Sequence, residues 1–323
     1  MDDDLIIELD GVEKIFDVRR RAGLFRRERR QVRAVDGISF TVPRGEMVGY
    51  IGPNGAGKST TIKMLTGILT PSCGRLRVAG IDPSRERTRL AKRIGVVFGQ
   101  RTTLWWDLPL QDSYELVRRM YRIPDHRYRI NLACCVELLD LSELLDVPVR
   151  QLSLGQRMRG DIAAALLHDP EVLYLDEPTI GLDVVSKAKV REFLRSVNSE
   201  QGMTVLLTTH DLTDIEQLCR RVMVIDHGRL MYDGGLDGLH AVGDSERTLV
   251  VDFERELPPI ELPGARCTRV DGPRQWLAFP AGASAAPLVA ELAARYPIVD
   301  LSVREPVIED VIARMYTQSA APA

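Results

Sequence analysis

Between positions 52 and 60 the chain reads Gly52-Pro53-Asn54-Gly55-Ala56-Gly57-Lys58-Ser59-Thr60, a spacing of glycines, lysine and hydroxyls that suits a polyphosphate. Backbone N–H groups can approach phosphate oxygens closely only where no side chain at Gly52, Gly55 or Gly57 obstructs them. Lys58 can then reach the outer phosphates, and the Ser59 hydroxyl can ligate Mg²⁺. Further along, Val172-Leu173-Tyr174-Leu175 runs into Asp176-Glu177-Pro178, which sets paired carboxylates at the end of an apolar strand. Asp176 is placed to hold Mg²⁺ through water and Glu177 to orient or deprotonate an attacking water. Two other strand ends carry candidate groups. Gln100 follows Ile94-Gly95-Val96-Val97-Phe98-Gly99 with an amide able to touch Mg²⁺ or water, and His210 follows Thr204-Val205-Leu206-Leu207-Thr208-Thr209, where it could sense a terminal phosphate.

Elements must hold these groups. Met47-Val48-Gly49-Tyr50-Ile51 reads as a buried strand ahead of the glycine loop, and residues 61–69 carry apolar positions at helical spacing behind it. Strands are expected over 5–16, 35–42, 74–80 and 94–98, and helices over 114–121 and 131–145. Leu152-Ser153-Leu154-Gly155-Gln156 precedes an amphipathic run over 158–168, so its Ser and Gly can cap a helix or bind an anion. A helix over 186–198 follows Gly181-Leu182-Asp183. Beyond residue 245, strands over 248–253, 267–270, 276–279 and 298–303 and helices over 287–296 and 307–316 show no catalytic constellation. The adjacent Trp105 and Trp106 read equally as core or as a partner-facing pair. Phe16 is either core or a platform for a base.

Composition narrows the class. The 323 residues carry 43 Lys and Arg against 46 Asp and Glu, a net charge of -3, and nucleic-acid binding through overall basicity is not expected. Apolar runs fall well short of the ~20 residues of a membrane span, and the acidic start Met1-Asp2-Asp3-Asp4 is opposite to a secretory leader. Five scattered Cys without a C-x-x-C pair fit reduced thiols in the cytosol. Against this balance the segment 19–33 is dense in Arg, with Leu24 and Phe25 inside it. It reads as a solvated loop, with contact to anionic lipid headgroups or an acidic partner surface as the sharper alternative.

Taken in order, these motifs resemble the nucleotide-binding subunits of ATP-binding cassette (ABC) transporters, of the bacterial exporter type with a separate permease chain. Residues 52–60 match its Walker A loop, Gln100 the Q-loop, 152–156 the signature, 172–177 Walker B, 181–183 the D-loop and His210 the H-loop. The resemblance covers roughly the first two-thirds of the chain. It implies an α/β fold, the P-loop NTPase ABC ATPase fold: a RecA-like core with an antiparallel β subdomain and a helical subdomain. These would occupy 1–240, with the helical part at about 101–157, before an accessory α+β appendage at 245–317 and a tail at 318–323. It implies ATP and Mg²⁺ as cofactors and catalytic roles for Glu177, His210 and Gln100. Metal contacts would come from Ser59, Gln100 and Asp176. Nucleotide contacts would come from Phe16, from Gly52, Pro53, Asn54, Gly55, Ala56, Gly57, Lys58, Ser59 and Thr60, and from Ser153, Gly155, Gln156 and Asp183. It implies a head-to-tail homodimer that drives a separate integral-membrane permease in the direction of export, from the cytoplasmic face of the plasma (inner) membrane. The alternative is a soluble ABC ATPase acting on a macromolecular complex; the chain has one cassette and no long coiled coil between Gln100 and Leu152. Two motifs depart from the family pattern: Leu154 stands for the usual Gly of the signature, and Ile180-Gly181 for the commoner Ser-Ala of the D-loop.

Overall fold

A computed structural model describes residues 4–21, 27–99, 101–209, 211–241, 246–304, 311, 312, 315 and 316. Gln100 and His210, and with them two expected site groups, lie outside the described residues, as does most of the expected last helix. The chain divides into two compact units, Met1–Asp233 and Gly234–Ala323.

The first unit holds two sheets. In one, β1 (Leu5–Arg21) pairs antiparallel with both β2 (Arg27–Pro43) and β4 (Cys73–Val78). The other has the order β5 (Ile94–Phe98), β6 (Val172–Asp176), β7 (Thr204–Thr208), β3 (Met47–Ile51), β8 (Arg221–Asp226) and β9 (Arg229–Gly235). Its strands from β5 to β8 pair in parallel. Every residue of β3 and β7 is buried, which is why they read as unbroken apolar runs: a parallel sheet is covered on both faces. Ile7, Val12, Val35, Ile38 and Val42 from the first sheet and Val48, Tyr50, Tyr174 and Leu206 from the second share one core with Ile62, Met64 and Leu65 of α1 (Lys58–Leu65). The short α2 (Arg87–Ala91) leads into β5.

Between β5 and β6 stand α3 (Leu110–Tyr121), α4 (Asp125–Leu138) and α5 (Leu154–Leu166). The helix expected over 131–145 instead begins six residues earlier and stops at Leu138. Pro124 supplies its extended N-cap and Asp125 an acid in its first turn, while Asp140 at φ 52° takes the left-handed conformation that ends it. Leu144 closes a short 3-10 turn. Past β6 come α6 (Val184–Gln201) and α7 (Leu212–Leu218).

The Arg-rich segment corrects the expected loop. Strand β1 runs to Arg21 and β2 starts at Arg27, paired rung by rung down to Arg21 opposite Arg27. Backbone hydrogen bonds make a ladder regardless of side-chain charge, and charge density hid the strands from a hydrophobic reading.

The second unit begins with α8 (Leu236–Ala241). Its four-stranded antiparallel sheet is ordered β11 (Arg266–Asp271), β12 (Arg274–Pro280), β10 (Glu246–Phe253) and β13 (Ile298–Arg304). Leu288 and Leu292 of α9 (Ala286–Arg295) join Leu249, Val251, Leu277 and Phe279 in a core of its own. Gln275 is fully buried there, its amide accepting from Ile260 N–H at 3.0 Å and donating to the carbonyls of Leu257 and Pro258 at 3.0 and 2.9 Å.

Candidate functional site

The loop between β3 and α1 is shaped by its glycines. A Cβ at Gly52 would lie 2.3 Å from the Ile225 carbonyl oxygen, and one at Gly57 2.6 Å from that of Ala34. Gly57 also caps α1 at φ 114°, in the left-handed region that side chains avoid. The loop is therefore seated against backbone on its far side and leads into the helix N-terminus, where an anion is favoured. Lys58 folds over it, donating to the carbonyl oxygens of Gly52 and, at 3.2 Å, Pro53. Burial lowers the Lys58 ammonium's pKa, and Glu177 and Asp176 oppose that shift.

The carboxylates close the same cleft. It has a volume of about 840 Å³, and Lys58, Ser59, Phe98, Arg101, Asp176 and Glu177 are among its walls. The Ser59 hydroxyl lies 3.4 Å from Asp176 Oδ2, and Thr208 of the neighbouring strand donates to Asp176 Oδ1 at 2.6 Å. A hydroxyl beside a carboxylate whose second oxygen is tied down is a hard, all-oxygen donor pair, and it fits Mg²⁺. Among the described residues no cluster of three or more His, Cys, Asp or Glu could hold a metal alone. Beyond these two described donors, the ligands of such an ion would include phosphate and water.

Glu177 follows at φ 57°, an uncommon conformation for a glutamate. Its N–H donates to the Thr208 carbonyl at 2.9 Å, and a Cβ at Gly99 would stand 2.2 Å from the Glu177 carbonyl oxygen. Gly99 N–H in turn donates to Asp176 O at 2.7 Å. The strand end leading to Gln100 is thus packed on the strand end carrying the carboxylates. Sequence reading missed Gly99 as a contact; its one signal was a glycine just before the expected Gln.

The signature residues stand elsewhere. Ser153 is the N-cap of α5, accepting from Gln156 N–H at 3.2 Å, while the Gln156 side chain accepts from Ser153 N–H at 2.8 Å, a reciprocal capping box. Gly155 is buried against α6, for a Cβ there would meet Ser186 Oγ at 2.6 Å. Asp183 caps α6 through Ser186, at 2.9 Å from its N–H and 2.6 Å from its hydroxyl, and these hydrogen bonds lower the Asp183 pKa. None of Ser153, Gly155, Gln156 and Asp183 lines the cleft. Phe16 does not line it either; Lys14 Nζ lies 5.3 Å above its ring. The two departures from the family pattern touch each other: Leu154 Cδ2 lies 2.8 Å from where a Cβ on Gly181 would be.

Behind the carboxylates lies a network that sequence reading did not find. Asp214 of α7 is fully buried, accepts from the Thr179 hydroxyl, and accepts from Arg191 Nε of α6 at 2.6 Å. It ties the turn after Glu177 to the helix that follows position 210. A polar residue inside a helix gives no signal of such a partner.

The family model described as ABC transporter matches residues 35–180. The chain is 38% identical over 248 residues to the daunorubicin resistance ATP-binding protein DrrA3 of Streptomyces coeruleorubidus, spanning 77% of this chain and 74% of that one. It is 40% identical over 200 residues to the Nod factor export ATP-binding protein I of Ralstonia nicotianae, 62% of each chain. Among solved structures it is similar to an ATP-binding cassette seen as a dimer in a post-hydrolysis state with ADP and Pi. The TM-score is 0.62 at 26% identity, over 72% of this chain and 99% of that one. Phosphate loop, paired carboxylates and capped signature helix thus coincide with sequence and structural kinship, and the chain belongs to the ABC transporter family as an ATP-binding, ATP-hydrolysing subunit.

Proposed function

We propose that two copies of this chain close head to tail around two ATP molecules and that the closure drives a separate integral-membrane permease, in the direction of export. One observation carries the reading. The helix N-terminus capped by Ser153 has the features of an anion site, yet it stands outside the cleft that holds Lys58, Ser59, Asp176 and Glu177. A second copy would bring its own Ser153 and Gly155 to that cleft, and the γ-phosphate charge would then be shared by two helix N-termini. Export follows the names of the relatives, and a peripheral place on the cytoplasmic face of the membrane follows from the permease. No described helix is long and apolar enough to cross a membrane.

In this reading Lys58 exchanges its loop carbonyls for phosphate oxygens and withdraws charge from the leaving group. Ser59 and Asp176 would hold Mg²⁺, with Gln100 beside them; when bound, the ion neutralises charge on the phosphates. Thr208 fixes the Asp176 carboxylate, and Glu177 orients or deprotonates the attacking water. His210 contacts the γ-phosphate, Phe16 stacks on adenine, and Asp183, with Gln156, supports the interface from the signature side. The unit Gly234–Ala323 serves as an accessory, dimer-supporting appendage.

Complementation tests the shared site. Ser153→Arg spoils the signature and Lys58→Ala the phosphate loop, so neither variant turns over alone. Mixed, they form one intact composite site, and ATPase activity reappears in part. A mixture as silent as its components would overturn the head-to-tail arrangement.

A further inference from the structure

The Arg-rich stretch carries none of the cleft's motifs, yet it is the most strongly charged stretch of the chain. Eight of the fifteen residues over 19–33 are Arg and one is Glu, a net +7 in a chain whose total is -3. The remaining residues therefore sum to -10, and the positive charge is concentrated in one element.

The register shows how that charge is displayed. Pairing of β1 with β4 ends at Glu13 opposite Cys73, whereas pairing with β2 continues to Arg21 opposite Arg27. The last eight residues of β1 thus form a two-stranded ribbon without a third strand, roughly 25 Å long. Arg19 stands opposite Arg29 and Arg21 opposite Arg27. These rungs are two residues apart, so strand alternation sets the four positions on one face of the ribbon. Like charges directly opposite each other are destabilising, and an isolated two-stranded hairpin is marginal in water. Both costs fall if a dense array of negative charge lies against that face. Nearer the sheet, Arg33 is already held by Asp36 at 2.6 Å. By the same alternation Val18, opposite Arg30, and Val32, opposite Phe16, fall on the other face of the ribbon, 45% and 42% exposed.

We infer that this ribbon is a membrane-surface contact that binds anionic lipid headgroups through Arg19, Arg21, Arg27 and Arg29. A lipid surface fits better than a nucleic acid, because the other residues of the chain, at -10, would be repelled by any extended polyanion that wrapped them. A planar anionic surface touched only by the ribbon avoids that repulsion and orients the subunit. The choice of lipid rests on the proposed partnership with a membrane permease, but binding by the ribbon itself requires no permease.

The test uses the purified full chain and co-sedimentation with vesicles of phosphatidylcholine, alone or mixed with phosphatidylglycerol. Binding is expected to the mixed vesicles only and to be lost at high salt, where charges are screened over a few ångströms. Each arginine near an anionic surface is worth about fivefold in partitioning. Replacing all four (Arg19→Ser, Arg21→Ser, Arg27→Ser, Arg29→Ser) is therefore expected to cost roughly a hundredfold or more at low salt. Lysine at the same four positions should retain most of the binding, and ATP turnover should be unchanged in both variants, since none of the four belongs to the phosphate loop, the carboxylate strand or the signature. Equal binding to neutral vesicles, unaltered binding by the serine variant, or preference for a DNA duplex over the mixed vesicles would each overturn the inference. Loss of vesicle binding with ATP-driven dimerisation intact would reject the lipid contact alone; the reverse result would reject only the dimer.

Discussion

Glu177 sits in the left-handed region with its carbonyl pressed against Gly99, and a side chain held in so constrained a backbone marks a functional position. Glu177→Gln keeps the shape and the phosphate contacts while removing the base. ATP binding should persist, with turnover falling by about a hundredfold to ten-thousandfold, as measured by phosphate release alongside nucleotide affinity. Turnover at the parental rate would remove Glu177 from the chemistry. Lys58→Ala removes both the charge and the side chain that spans the loop. Weaker nucleotide affinity is expected, with a rate loss of about 3 to 4 kcal/mol in the transition state; unchanged affinity would count against the loop as the binding site.

Elements carry a different set of consequences. Asp214 joins α6, α7 and the turn after Glu177, and Asp214→Ala leaves the mostly covered Arg191 without its carboxylate. A loss of about 3 to 5 kcal/mol in urea denaturation is expected. On α3, hydrogen bonds from Arg118 and then Arg119 hold the Glu115 carboxylate at about 2, below its ordinary 4.5. A folded pKa below the unfolded one stabilises above the unfolded value and is lost as pH falls through the folded one. Glu115→Gln should therefore be less stable than the parent at neutral pH, with the two acid-unfolding curves converging below about pH 2. Much of this architecture was legible beforehand. The strands 47–51, 94–98 and 172–176 read correctly because burial on both faces leaves apolar runs bounded by glycine or charge. The β1–β2 ribbon did not, since its pairing rests on the backbone ladder and its residues are charged. Within the site, Gly52, Gly57, Lys58, Ser59, Asp176 and Glu177 converge as motif spacing suggested. Thr208, Thr179 and Asp214 could not be found, because their partners are far off in sequence.

At the scale of the whole molecule, every described residue lining the cleft falls between Ala34 and Ile180, inside the unit Met1–Asp233. The second unit has a separate core, so a chain ending near residue 241 should bind ATP with the affinity of the full chain, as read by titration calorimetry. Weakened binding would mean that the appendage contributes to the cleft after all. The contact between Gly99 and Glu177 has a mechanical consequence. With no room for even a methyl group between them and a hydrogen bond from Gly99 to Asp176, the two strand ends cannot slide independently. A push that reached the segment after Phe98 would therefore be felt at the carboxylates. Cargo-side motion and bond cleavage would then be geared through a single tooth, and widening that tooth by one carbon should make the motor slip.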